Sequence, residues 1–100
     1  MKLSSIKLPV DYRTLDWTKG ETARVRNEYA WLQGGLCYWC EKPLSQPPPA
    51  EITELRIHWD LFPENFMKNP VHLQHNHETH MTEGAVHAYC NAVMWQYHDR

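Results

Sequence analysis

Apolar residues recur at Val25, Tyr29 and Leu32, the i, i+4, i+7 spacing that lays one stripe along an α-helix. The stripe predicts a helix over residues 17–34. Asp16 or Thr18 is placed to cap its start, Gly34-Gly35 to end it, and the stripe itself to pack into the core. Residues 1–16 carry no such period, and Pro9 discourages helix around it, so an extended arm is expected there. After the helix, the segment 46–50 is proline-rich and therefore a loop rather than a central strand. EITELRIHWDLF (51–62) suits either a short helix or a strand. FPENFMKNP (62–70) is rich in turn formers and closed by Pro70. VHLQH (71–75) alternates apolar and polar positions, as a short strand does. On that strand His75 and His77 would share a face with Val71 and Leu73, and Gln74 would point the other way. HNHETHMTEG is a loop. AVHAY (85–89) is a second short strand or the approach to a helix. CNAVMWQYHDR (90–100) is a closing helix offering Val93, Met94 and Tyr97 to the core. The second half thus runs strand, loop, strand, helix, which makes the chain α+β.

Length and charge narrow the picture. One hundred residues make a single domain over 1–100 whose core is marginal: a chain this short buries only about 60–65% of its unfolded surface. A metal staple would offset that. The formal net charge is −2, so the bulk electrostatics do not announce nucleic acid. Arg13, Lys19, Arg24 and Arg26 do gather near the N-terminus, as an ordinary solvated helix face would have them. The five tryptophans, Trp17, Trp31, Trp39, Trp59 and Trp95, are expected to fill the small core. MKLSSIKLPV holds no long apolar run, so no signal peptide is expected. Nor does any stretch approach the roughly 18 apolar residues of a membrane span. A cytoplasmic protein is the expectation.

The chemistry begins with cysteine. Three cysteines leave one over in any purely disulfide framework. Cys37 and Cys40 stand as C-Y-W-C just before Pro43, the form of a zinc knuckle over 36–43 that aims two thiolates at one point. The best partners are His87 and Cys90, because H-A-Y-C repeats the same two-residue gap; His72, His77 or His80 could stand in for His87. A Cys3His zinc site would convert metal-binding free energy into folding free energy.

His72, His75, His77 and His80 then remain. A histidine titrating near neutrality is a natural general base. Asn91 follows Cys90 at the start of the closing helix, where a carboxamide oxygen can take a hard cation such as Mg2+. A base on a strand facing a cation ligand on a helix suits phosphodiester hydrolysis. His72 and His80 have no assigned work.

In combination, CYWC and LQHNHETHMTEGAVHAYCN resemble the HNH (ββα-metal, or His-Me finger) endonucleases, and within them the phage recombination endonuclease VII-like subgroup. The resemblance runs over about residues 24–98. It implies a ββα-metal motif at 71–98, carried by a small zinc-stapled domain between an N-terminal helix and a closing C-terminal helix. It implies His75 as general base, Asn91 as ligand of a catalytic Mg2+ or Mn2+, and His77 at the scissile phosphate or the metal site. It also implies Cys37, Cys40, His87 and Cys90 on structural Zn2+. The expected substrate is double-stranded DNA, with the ββα element on the minor groove and Lys19, Arg24, Arg26 and Lys68 on phosphates. A phage-encoded enzyme acting in the host cytoplasm is the setting it suggests. Two positions depart from the subgroup. His87 stands where the subgroup has cysteine. Gln74 stands where the subgroup has a cation-binding aspartate, and a neutral amide is the poorer ligand for a hard cation. The competing expectation is a zinc-stabilised module of the same fold, catalytically weak or inactive, that binds DNA or a host protein.

Overall fold

The first helix starts later than its apolar stripe suggests, because two short turns precede it. The computed structural model describes residues 7–98; the start of the expected N-terminal arm, 1–6, and the chain end, 99–100, lie outside them. Asp16 accepts from Thr18 N at 3.0 Å and so caps a 3-10 turn over Trp17–Lys19 rather than the helix. Gly20, at φ 73°, then turns the chain into α1, Glu21–Leu32. Glu21 Oε1 reaches back to accept from Asp16 N at 2.9 Å, which locks the two turns together. The far end closes as the sequence predicts: Gly34 N–H bonds Trp31 O at 3.1 Å and Gly35 N–H bonds Ala30 O at 2.8 Å. Both glycines have positive φ, so the pair is a Schellman cap.

The stripe itself is only partly right. Val25 is buried and Tyr29 half-buried, but Leu32 is 58% exposed, and Glu28 takes the inward position instead. The buried face therefore follows i, i+3, i+4. Leu32 sits in the last turn, where the chain swings back toward the cysteine knuckle. Gln33 makes the contact there: its Oε1 accepts from Ala85 N at 2.8 Å and its Nε2 donates to Ala85 O at 2.9 Å.

The second half is a hairpin leading straight into a helix: β1 Val71–His75, β2 Thr82–His87 and α3 Ala88–His98. The strands are antiparallel, with Val71 opposite His87 and Gln74 opposite Gly84. An irregularity between Gln74 and His75 leaves His75 opposite Thr82, so Glu83 is the extra residue of a β-bulge. On β2, Thr82 and Gly84–His87 are all buried. Alternate residues of a strand point to opposite faces, so both faces of β2 are covered. α1 and α3 each pack on both strands, and the one-turn helix α2, Ala50–Thr53, packs on α3. EITELRIHWDLF resolves into α2 and a 3-10 turn at Trp59–Leu61. Side chains of α3 hold this long connection: Tyr89 OH donates to Thr53 O at 3.0 Å and Leu55 O at 2.9 Å, and Gln96 Nε2 donates to Arg56 O at 2.9 Å.

Three expectations need correcting. The arm is not simply extended: Tyr12–Thr14 forms a 3-10 turn. Just before it, the arm borders the hairpin, with Thr82 N bonded to Val10 O at 2.8 Å and Tyr12 N to His80 O at 2.7 Å. Tyr97 is 48% exposed instead of joining Val93 and Met94 in the core, because its hydroxyl is drawn outward to Arg56 O. Of the five tryptophans only Trp39 packs against the main core cluster. Trp17, Trp31, Trp59 and Trp95 are 78%, 50%, 41% and 42% exposed, and small residues with Val86, Val93 and Met94 do the filling.

At Gly84 the hairpin meets Gln33, at the end of α1, and Tyr38 of the knuckle. A Cβ there would lie 2.7 Å from Gln33 Oε1 and 2.8 Å from the Tyr38 ring. Gly84→Ala should therefore destabilise the fold by about 1–3 kcal/mol, read as a lower urea midpoint at unchanged m-value; an unshifted midpoint would refute the close approach.

Candidate functional site

Two groups of residues stand out, and they share the β2–α3 junction. The first is Cys37, Cys40, His87 and Cys90, whose ligand atoms all lie within 4.8 Å of one another. Each pair comes from a tight local turn. The knuckle closes through Cys37 N–H to Lys42 O at 2.8 Å and Glu41 N–H to Cys37 O at 3.0 Å, with Glu41 at φ 62°. His87 ends β2 and Cys90 lies in the first turn of α3, so the strand-to-helix step itself sets their spacing.

The donor set fits a zinc ion. His87 Nδ1 is 3.4 Å from Cys40 Sγ and 3.6 Å from Cys90 Sγ. A tetrahedral ion with Zn–S of about 2.3 Å and Zn–N of about 2.05 Å places S and N about 3.6 Å apart. His87 Nε2 lies 2.9 Å from Pro43 O and 2.8 Å from Gln46 O. Carbonyl oxygens only accept, so Nε2 carries the hydrogen and Nδ1 is the ligand atom, held by the outer contact that metal-binding histidines commonly make. Cys37 Sγ accepts from the backbone N–H of Trp39, Cys40 and His87 at 3.3, 3.5 and 3.5 Å. With only protons to share, the three sulfurs cannot all be thiolates. A hydrogen bond from Cys90 and the backbone N–H groups hold Cys37 down to about 4 against its burial. The same hydrogen bond, then burial, push Cys90 far up, and burial raises Cys40. A divalent cation removes that conflict, because a coordinated thiol is deprotonated outright.

The second group lines a cavity of about 310 Å³. Gln74, His75, His77 and Asn91 meet there, with Tyr12 and an apolar wall that includes Phe62, Phe66 and Trp95. β1 ends at His75. An Asx turn follows, in which Asn76 Oδ1 accepts from Glu78 N at 2.8 Å and Thr79 N at 3.0 Å. His77 thus reaches His75 through a turn and not along a strand face, with ring centroids 4.8 Å apart. His75 also stacks on Tyr12 at 4.0 Å and 11°. Burial, then the neighbouring His77 and His80, hold the His75 pKa below its ordinary value, against the opposing pull of Glu83.

Gln74 is buried, its Nε2 donating to His75 O at 2.9 Å and Glu83 Oε1 at 3.4 Å. Asn91 Nδ2 lies 3.0 Å from His72 Nδ1. Each amide has its nitrogen engaged, so each would offer a cation its oxygen. The pair suits a hard divalent ion in donor type but supplies no charge.

Lys19, Arg24 and Lys68 are exposed and Arg26 is partly buried; none of the four lines the cavity. The sequence offers no signal for Tyr12, Phe62, Phe66 or Trp95 in the cavity, since long-range packing brings them there. Nor does His72 announce its partner. Among the described residues, no helix is long and apolar enough to cross a membrane. Comparison with known proteins gives no match: no family model, no curated protein and no solved structure corresponds to the chain.

The purified protein should carry about one equivalent of zinc by elemental analysis. Cys37→Ser, or stripping the ion with a strong chelator, should collapse the cooperative thermal transition, since a core this small would lean on a bound metal. A Cys37→Ser protein with an unchanged melting curve would rule out a structural metal here.

Proposed function

We propose that the chain is a metal-dependent DNA endonuclease of the HNH (ββα-metal) type. The observation that carries this reading is one cavity holding His75 from the end of β1 and Asn91 from the first turn of α3, next to a Cys3His cluster. A hairpin running directly into a helix, with those two residues at those two places, is the arrangement the sequence resemblance implies.

The reaction is phosphodiester hydrolysis. His75 takes a proton from water as its oxygen attacks phosphorus; the P–O ester bond opposite breaks, and the leaving oxygen is protonated from solvent. His77, beside it, contacts a non-bridging phosphate oxygen. Asn91 holds the divalent cation through its amide oxygen, with Gln74 assisting. When bound, that Mg2+ or Mn2+ supplies charge neutralisation at the phosphate and leaving oxygen. The lowered pKa of His75 keeps the imidazole unprotonated, as a base must be. Zn2+ at Cys37, Cys40, His87 and Cys90 fixes the strand-to-helix step from which Asn91 projects. Double-stranded DNA is the substrate, with Lys19, Arg24, Arg26 and Lys68 as phosphate contacts.

A second reading is favoured by the exposed tryptophans, the neutral Gln74 and the low charge: the same zinc-stapled fold used as a binding module. Aromatic side chains at a surface are typical anchors of protein interfaces.

Supercoiled plasmid separates the two. With Mn2+ or Mg2+ the protein should nick it, and His75→Ala should slow nicking roughly 100- to 10,000-fold at unchanged zinc content. No nicking with either ion would favour the binding module, and undiminished nicking by His75→Ala would remove His75 as the base.

A further inference from the structure

His72 was left without work by the sequence, yet the structure surrounds it. Its Nε2 is 2.8 Å from Phe66 O, and the Phe66 ring stands edge-on to the imidazole at 4.6 Å and 79°. Its Nδ1 is 3.0 Å from Asn91 Nδ2. A backbone carbonyl only accepts, so Nε2 carries the ring hydrogen. Nδ1 then holds a lone pair, and only the nitrogen end of a carboxamide can satisfy it. The Asn91 amide is thereby assigned: Nδ2–H donates to His72, and Oδ1 is the end left for the cavity that Asn91 lines.

We propose that His72 is a positioning residue, whose unprotonated Nδ1 takes the amide N–H of Asn91 and so presents the Asn91 oxygen, rather than its nitrogen, to a divalent cation in the cavity. The cation-binding part rests on the nuclease reading above; the amide orientation does not. Orientation matters because the two ends of a carboxamide are nearly isosteric. Turned over, Asn91 would point N–H groups at a cation and repel it. With the neutral Gln74 in place of a carboxylate, the site has little other attraction with which to correct a misplaced amide.

The test needs no DNA. In full-length 15N-labelled protein, a two-bond nitrogen–nitrogen coupling should connect the Asn91 side-chain amide to His72 Nδ1, which should show the shift of an unprotonated ring nitrogen. Absence of the coupling, or a protonated Nδ1, overturns the assignment. Mn2+ titration followed by electron paramagnetic resonance then reads the consequence. His72→Asn places an acceptor oxygen near the old Nδ1 and should keep wild-type affinity. His72→Leu removes the acceptor and should weaken Mn2+ by about 10- to 100-fold, as lost outer contacts of metal ligands do, with zinc content unchanged. If the pairing serves packing alone, His72→Leu lowers the melting temperature but leaves Mn2+ affinity where it was, and the proposal fails; it fails too if the wild-type protein takes no Mn2+. The two readings fail separately. Coupling and Mn2+ binding without plasmid nicking remove the nuclease and keep the His72–Asn91 pair, whereas nicking without coupling removes the pair and keeps the nuclease.

Discussion

Everything in the second half of the chain hangs on the step from β2 into α3. His87 is the last residue of the strand, and Cys90 and Asn91 lie in the first turn of the helix. There is no loop between them to absorb error. The Cys3His cluster closes over this step by joining it to the Cys37–Cys40 knuckle, which is itself hydrogen-bonded to β2 through Tyr38 N and Ala85 O at 2.9 Å. Three elements that a 100-residue core would hold only loosely are thereby referred to one point. Because Cys37 and Cys90 belong to the main apolar cluster with Ala85, Val86 and Met94, and Cys40 packs against it, the Cys3His cluster and the hydrophobic core are one structure. Asn91, next in line, inherits that rigidity.

The histidines differ chiefly in what their second nitrogen touches. His87 and His72 each set one ring nitrogen against backbone carbonyls, which fixes their tautomers and gives each a definite acceptor atom. His87 spends that atom on the thiol cluster, His72 on Asn91. His75 is held differently, by stacking on Tyr12 and by the edge of His77. The structure thus separates histidines whose ring nitrogens are fixed by hydrogen bonds from those placed by ring contacts.

The cavity joins this polar floor to an apolar wall of Phe62, Phe66 and Trp95. Phe62 and Phe66 come from the connection between α2 and β1, a segment with little regular structure of its own, and Trp95 from α3. Tyr89 and Gln96 on α3 fix that connection through its backbone carbonyls. The low charge and the exposed tryptophans set this surface apart from a strongly basic nucleic-acid binder, for which affinity rises with the number of phosphate contacts.

Much of the scaffold is written locally. The C-Y-W-C and H-A-Y-C spacings fix which atoms can converge, because each pair spans a single turn. Gly34-Gly35 ends α1 because both positions need positive φ, and the alternation of 71–75 gives β1. What the sequence could not express is whatever depends on distant partners. The stripe named Leu32 where tertiary packing chose Glu28. Strand parity paired His75 with His77, but the Asx turn at Asn76 is what brings them together. The Asp16 cap served a 3-10 turn because Gly20 intervenes. The bulge at Glu83 and the burial of Gln74 follow from the register between two strands, which no single strand contains. The orientation of Asn91 is the clearest instance. An asparagine in a sequence has two indistinguishable ends, and only a histidine on another element, with its own tautomer fixed by a third, decides which end faces the cavity.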